Sequence, residues 1–161
     1  MKPLLSLFAC LALFSCTNSS EQTTKAAEDA PKYIPGLQAV DVYGNFEKKG
    51  FTTNKDIAAD HSTFTSSMTD GEKVYTVRAL GAKPSSINKI EASVTFSNPD
   101  AISKQFIGFA ASVPYTGSNG TAATQWATDH FDKGGDTTIG TVRFVLTAAS
   151  PTARVLALYA H

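Results

Sequence analysis

Between Lys89 and Phe96 the chain reads KIEASVTF, and no other stretch limits the possible folds so sharply. Ile90, Ala92, Val94 and Phe96 share one side of an extended chain, with Lys89, Glu91, Ser93 and Thr95 on the other. Wound as a helix, the same four apolar residues would spread around the axis, so the alternation demands a strand with one dry face and one wet face. Such a strand belongs to an antiparallel sheet, because parallel strands are covered on both sides and read as unbroken apolar runs.

Other segments supply partners. His61–Thr69 sets Phe64 and Met68 against Thr63, Thr65 and Thr69, Asp70-Gly71 is a two-residue hairpin signal, and Lys73–Leu80 resumes the alternation. Lys83-Pro84-Ser85-Ser86 then turns the chain into KIEASVTF. Thr138–Ala148 aligns Val142, Phe144 and Leu146, and a Ser150-Pro151 turn joins it to Arg154–Tyr159. Phe51–Ile57 is a further candidate with a poor pattern.

Three helices are expected. The first runs from about Gln38 to Lys49, with Leu37, Val40, Tyr43 and Phe46 spaced by three and read as one face; Gly50 terminates it and Phe51 folds back on Phe46. Asn98-Pro99-Asp100 reads as a helix start, with Asn98 as cap and Pro99 in the first position. Ile102, Phe106, Phe109, Ala110 and Val113 follow on one face, up to Pro114. The third spans about Thr121 to Lys133, closed by Gly134-Gly135, and the small residues of Gly108–Ala111 and Ala122–Ala127 predict close packing of the last two helices. The expected fold is therefore α+β: a single antiparallel sheet of about four to six strands with three helices packed on one face, built from residues 33–161. The order of elements resembles that of the TATA-box-binding-protein-like class, which includes β-lactamase inhibitor protein repeats and small outer-membrane assembly lipoproteins. Element order alone implies no function.

The N-terminus is of another kind. Lys2 precedes an apolar run from Pro3 to Phe14, about 12 residues, too short to span roughly 30 Å of hydrocarbon at 1.5 Å per residue. Leu13-Phe14-Ser15-Cys16 resembles the lipobox of bacterial lipoproteins. That resemblance implies that residues 1–15 are a signal peptide cut between Ser15 and Cys16, that the Cys16 thiol takes a diacylglyceryl group, and that the new amine is acylated. Cysteine usage agrees: the two cysteines are Cys10 and Cys16, and positions 17–161 hold none, so Cys16 has no disulfide partner after cleavage. Two or three acyl chains anchor stably where one is marginal. Residues 16–32 (CTNSSEQTTKAAEDAPK) are polar beyond the cysteine, without periodicity, and read as a flexible tether. The expected location is the bacterial cell envelope, periplasm-facing or surface-exposed. The outer membrane is the expected membrane, Thr17 lacking the Asp that retains such proteins at the inner membrane of enteric bacteria.

Charge excludes one partner class. Fourteen basic and 14 acidic residues balance, and loss of Lys2 with the signal leaves 13 against 14, a net −1. Nucleic acid binding needs a clustered positive field, and the scattered lysines read as solvated positions.

Motifs for catalysis are absent. His61 and His130 each follow an aspartate, Asp60 and Asp129, but adjacent residues do not face the same way. A metal site would require His61, His130 and Asp132 to meet by tertiary contact, since no spaced histidine motif is present. Asp129, Asp132 and Asp136 lack the alternate spacing and distal Glu of a calcium loop, and read as a helix end and turn. No nucleophile elbow, Ser-x-x-Lys site or phosphate loop appears, and no cofactor is implied. Trp126 and Phe131 read as core rather than as a sugar platform. The expected function is a lipid-anchored, non-enzymatic binding or interaction module. It would meet an envelope protein or small ligand through the polar sheet face of Thr63, Thr65, Ser67, Ser93, Thr95 and Ser97. The alternatives are an envelope hydrolase or metal-binding protein using His61, His130 and nearby aspartates, and a structural or assembly lipoprotein.

Overall fold

In the computed structural model, which describes residues 32–161, KIEASVTF lies in the central strand of a seven-stranded antiparallel sheet. The signal segment with Ser15, the lipobox Cys16 and all of the tether except Lys32 lie outside the described residues. Along the chain come α1 (Ala39–Glu47), β1 (Thr52–Ile57), β2 (Ser62–Asp70), β3 (Lys73–Lys83) and β4 (Ser86–Thr95). Then follow α2 (Ala101–Ala111), α3 (Gly120–Asp129), β5 (Gly135–Ile139), β6 (Val142–Ser150) and β7 (Ala153–Ala160). The sheet order is β1-β2-β3-β4-β7-β6-β5.

Seven strands exceed the four to six expected, for two reasons. Phe51–Ile57 pairs despite its poor pattern, because an edge strand needs only one neighbour, and Thr52–Ile57 runs in register with Ser62–Ser67. The segment expected as one strand, Thr138–Ala148, is the closing part of a hairpin. Ile139 pairs with Val142, and Gly140 takes a left-handed φ of 61° in the two-residue turn between them. The first hairpin is displaced by one residue: Asp70 pairs with Lys73, so the turn is Gly71-Glu72 rather than Asp70-Gly71, with φ of 59° at Gly71.

One face of the sheet is dry. Ala79, Ile90 and Leu158 face one another across β3, β4 and β7, as do Val77, Ala92 and Leu156. All six are at most 1 % exposed. Phe46 on α1 and Phe106 on α2 pack into the same core. Among the described residues no helix is long and apolar enough to cross a membrane.

The helices depart from expectation in their faces and starts. On α1 the buried stripe is Ala39, Val42 and Phe46, and Val40 is 50 % exposed. Three residues advance a helix by about 300°, so four positions spaced by three fan across about half the cylinder, whereas spacings of three and four stay on one side. The C-terminus of α1 follows the sequence: Phe51 N–H donates to Phe46 O and Gly50 N–H to Glu47 O, with Gly50 at φ 89°. Helix α3 stops at Asp129, four residues before the expected Lys133. Beyond the helix the chain turns, with the Lys133 and Gly134 N–H groups both donating to His130 O and Gly134 at a left-handed φ of 74°. Helices α2 and α3 meet as closely as their small residues imply: a Cβ on Gly108 would lie 3.1 Å from Thr128 Cγ2 and 3.2 Å from Thr124 Cγ2.

Helix α2 is capped by Asp100, not Asn98. Asp100 Oδ1 accepts the Ser103 N–H at 2.8 Å, and Oδ2 accepts from the Lys73 ammonium. Ile102, expected in the apolar stripe, is 53 % exposed. The Lys73 contact first, and then the Ser103 N–H, lower the Asp100 carboxyl from 3.8 to about 2. Between about pH 4 and pH 2 the unfolded chain takes up a proton here that the folded domain refuses, so stability falls as pH drops through that window. Asp100→Asn keeps a good cap and loses the titration. Its urea midpoint is expected to fall less steeply than the parent's from about pH 5 to about pH 2.

Candidate functional site

The residues singled out for metal or catalysis do not converge. His61 is exposed just before β2, its Nδ1 2.9 Å from Asp60 Oδ1 and its Nε2 3.6 Å from Asp56 Oδ2. The Asp60 contact raises the imidazole pKa above its ordinary value and lowers that of Asp60. His130 is half-buried at the end of α3, its ring stacked on Trp126 at 5.1 Å and packed against Gly135 of β5. In the sheet order β2 and β5 are five steps apart, about 24 Å at about 4.8 Å per step. Asp132 is exposed, 3.9 Å from Arg154 Nη2. Among the described residues no group of three or more His, Cys, Asp or Glu is arranged to hold a metal. Phe131 is core at 1 % exposure, and Trp126 sets its ring edge-on to Phe144 at 6.0 Å.

The open sheet face, expected to meet a partner, carries Thr63, Thr65, Ser67, Ser93 and Thr95, while Ser97 lies beyond the end of β4. Each of its basic side chains already has a carboxylate partner, two of them sharing Glu91. Lys89 lies 2.7 Å and Arg78 3.7 Å from Glu91, and Arg143 pairs with Asp136.

A different place has the features of a ligand site. A groove of about 680 Å³ opens between the first half of α1, the edge strand β1 with its following turn, and the β3–β4 turn. That volume falls within the ~300–1,000 Å³ of small-molecule pockets. Its floor is the Tyr43 ring stacked on Phe64, centroids 5.4 Å apart and planes 17° from parallel. Val40 and Ile57, 50 % and 58 % exposed, form apolar rims. Both are off the buried pattern of their elements, Val40 because the α1 stripe runs through Ala39, Val42 and Phe46, and Ile57 because it ends an edge strand.

Alternation aims Lys55 into this groove. It pairs in register with the inward Phe64, and its Nζ lies 4.1 Å from the centre of the Tyr43 ring. Lys83 lines the other end, where register shifts on both sides of Gly81 bend the chain between β3 and β4. A Cβ at Gly81 would sit 2.1 Å from Ser86 O, so the bulge requires glycine. Among the described residues neither Lys55 nor Lys83 has a carboxylate partner, whereas Asp56 and Asp60, close by in the chain, are engaged with His61. Ser62, 1 % exposed, also lines the groove, and its Oγ has no hydrogen-bond partner among the described residues. The frame is tied by backbone bonds, Ala39 N–H to Pro84 O at 2.8 Å and Ile34 N–H to Ile87 O at 2.8 Å. Sequence reading passed over Lys55, Lys83 and Ser62, because each is ordinary in its own segment and only their neighbours make them a site.

Comparison with protein-family models, with curated proteins and with solved structures finds no match to this chain.

Proposed function

We propose that this chain is a lipid-anchored protein of the bacterial cell envelope whose folded domain is a non-catalytic binding module, receiving a small ligand in the groove between α1 and β1. The observation that carries the binding reading is the groove itself, with a stacked aromatic floor, exposed apolar rims and two lysines lacking carboxylate partners among the described residues. The open sheet face, with its charges already paired, is the poorer candidate. The anchor reading rests on Leu13-Phe14-Ser15-Cys16 and the cysteine-free remainder of the chain. Outer-membrane attachment, facing the periplasm or the surface, is part of this proposal and is supported by Thr17 standing where an Asp retains such proteins at the inner membrane of enteric bacteria.

Replacing the thiol tests the anchor. In a bacterial host fed a clickable palmitate, the parent chain is expected to take up label and sediment with membranes. Cys16→Ser should lose the label entirely and no longer be held in the membrane by acyl chains. Equal labelling of the two chains would refute lipidation at Cys16.

A further inference from the structure

We infer that the groove ligand is an amphipathic anion: an apolar chain ending in an anionic head group, with the chain along Val40, Tyr43, Phe64 and Ile57 and the head group met by lysine. This rests on the binding reading above and adds the chemical class. Three features select it. The apolar surface of floor and rims gains free energy on burial in proportion to the hydrocarbon covered, which favours a chain over a compact polar ligand. Among the described residues the charges lining the groove are Lys55 and Lys83, with no Asp or Glu, so an anion is matched and a cation opposed. The Ser62 hydroxyl, buried in the groove wall without a partner among the described residues, would gain one by turning to a ligand oxygen.

The test uses the full chain carrying Cys16→Ser, which removes acyl chains that would compete for an apolar groove. Dodecanoate, dodecanol and dodecyltrimethylammonium are titrated below their micelle concentrations and followed by calorimetry. Dodecanoate is expected to bind at least about tenfold tighter than dodecanol, the scale of one charge-assisted hydrogen bond, with the ammonium weakest. Lys55→Gln should weaken dodecanoate about tenfold and leave dodecanol unchanged. Lys89→Gln, on the opposite face and paired with Glu91, should alter neither. Lys55 and Lys83 are both exposed, so neither substitution threatens the fold, and unchanged melting temperatures confirm it. Equal binding of the three ligands, or a dodecanoate affinity untouched by Lys55→Gln and Lys83→Gln together, overturns the anion assignment while leaving a binding groove. Binding of none of them overturns the binding reading as well.

Discussion

Phe46→Ala is expected to lower the stability of the domain by about 3–5 kcal/mol, the range for emptying a large aromatic site in a closed core. Phe46 is 0 % exposed and meets three rings nearly edge-on: Phe109 at 5.0 Å, Phe51 at 5.2 Å and Phe106 at 6.2 Å. Those partners come from α2 and from Phe51, four residues past the end of α1, so one side chain joins the helix that walls the groove to the helix beside it. The N-terminus of the helix is tied to the β3–β4 turn by Ala39 N–H to Pro84 O, which limits how far it can shift to refill that volume. Against a total of about 5–15 kcal/mol for an ordinary domain, the loss is a large fraction. Urea unfolding followed by far-ultraviolet circular dichroism measures it, and a change below about 1 kcal/mol would show that Phe46 is not the joint described here.

Arg154→Ala is expected to be comparably severe, about 3–5 kcal/mol, because it leaves buried and half-buried carbonyls without their donors. Arg154 points into the dry side of β7 opposite Val94 and is 5 % exposed. Among the described residues the one carboxylate within 4 Å is that of exposed Asp132, at 3.9 Å. Nε donates to Phe131 O at 2.5 Å, and Nη1 to Ser150 O at 2.9 Å and Ala153 O at 2.8 Å. The guanidinium plane lies 5.1 Å from the Phe131 ring centre and 5.4 Å from that of Phe96. Alanine removes the bonds to three carbonyls and the contact between two rings. Lysine restores a charge without the planar fork that reaches several acceptors at once, so Arg154→Lys should recover only part of the loss. Asp132, at 3.9 Å and 73 % exposed, contributes little, and Asp132→Asn should stay within about 1 kcal/mol of the parent. Thermal unfolding of the three variants separates these cases. A large effect of Asp132→Asn together with a small one of Arg154→Ala would reverse the assignment.

The parts of the fold that were legible in sequence were those set by local chemistry. KIEASVTF is a central strand because its alternation requires only its own residues. Pro84-Ser85 and Pro151-Thr152 turn between strands, and Gly50 ends α1, because proline and glycine act on the backbone where they stand. Gly140 was passed over because β5 is short and half-exposed, leaving a single unpatterned run across the turn. Asp100 displaced Asn98 as cap because Lys73, 27 residues earlier, holds the carboxylate from β3. The groove was the least legible feature. Its lining comes from residues 38–43, 55–64 and 82–85, and no period or motif links them. Lys55 read as one more solvated lysine until the strand register set it beside Phe64 and Tyr43. The histidines, conspicuous by residue type, were separated by the same topology.

Amide chemical-shift mapping tests most directly whether this groove is the binding site. On titrating isotope-labelled full chain carrying Cys16→Ser with dodecanoate, the first and largest changes should fall on Val40, Tyr43, Lys55, Ser62 and Lys83, which line the groove. Arg78, Ser93 and Val155, across the open sheet face, should hold still. Changes concentrated on Arg78, Ser93 and Val155 with the groove silent would contradict it.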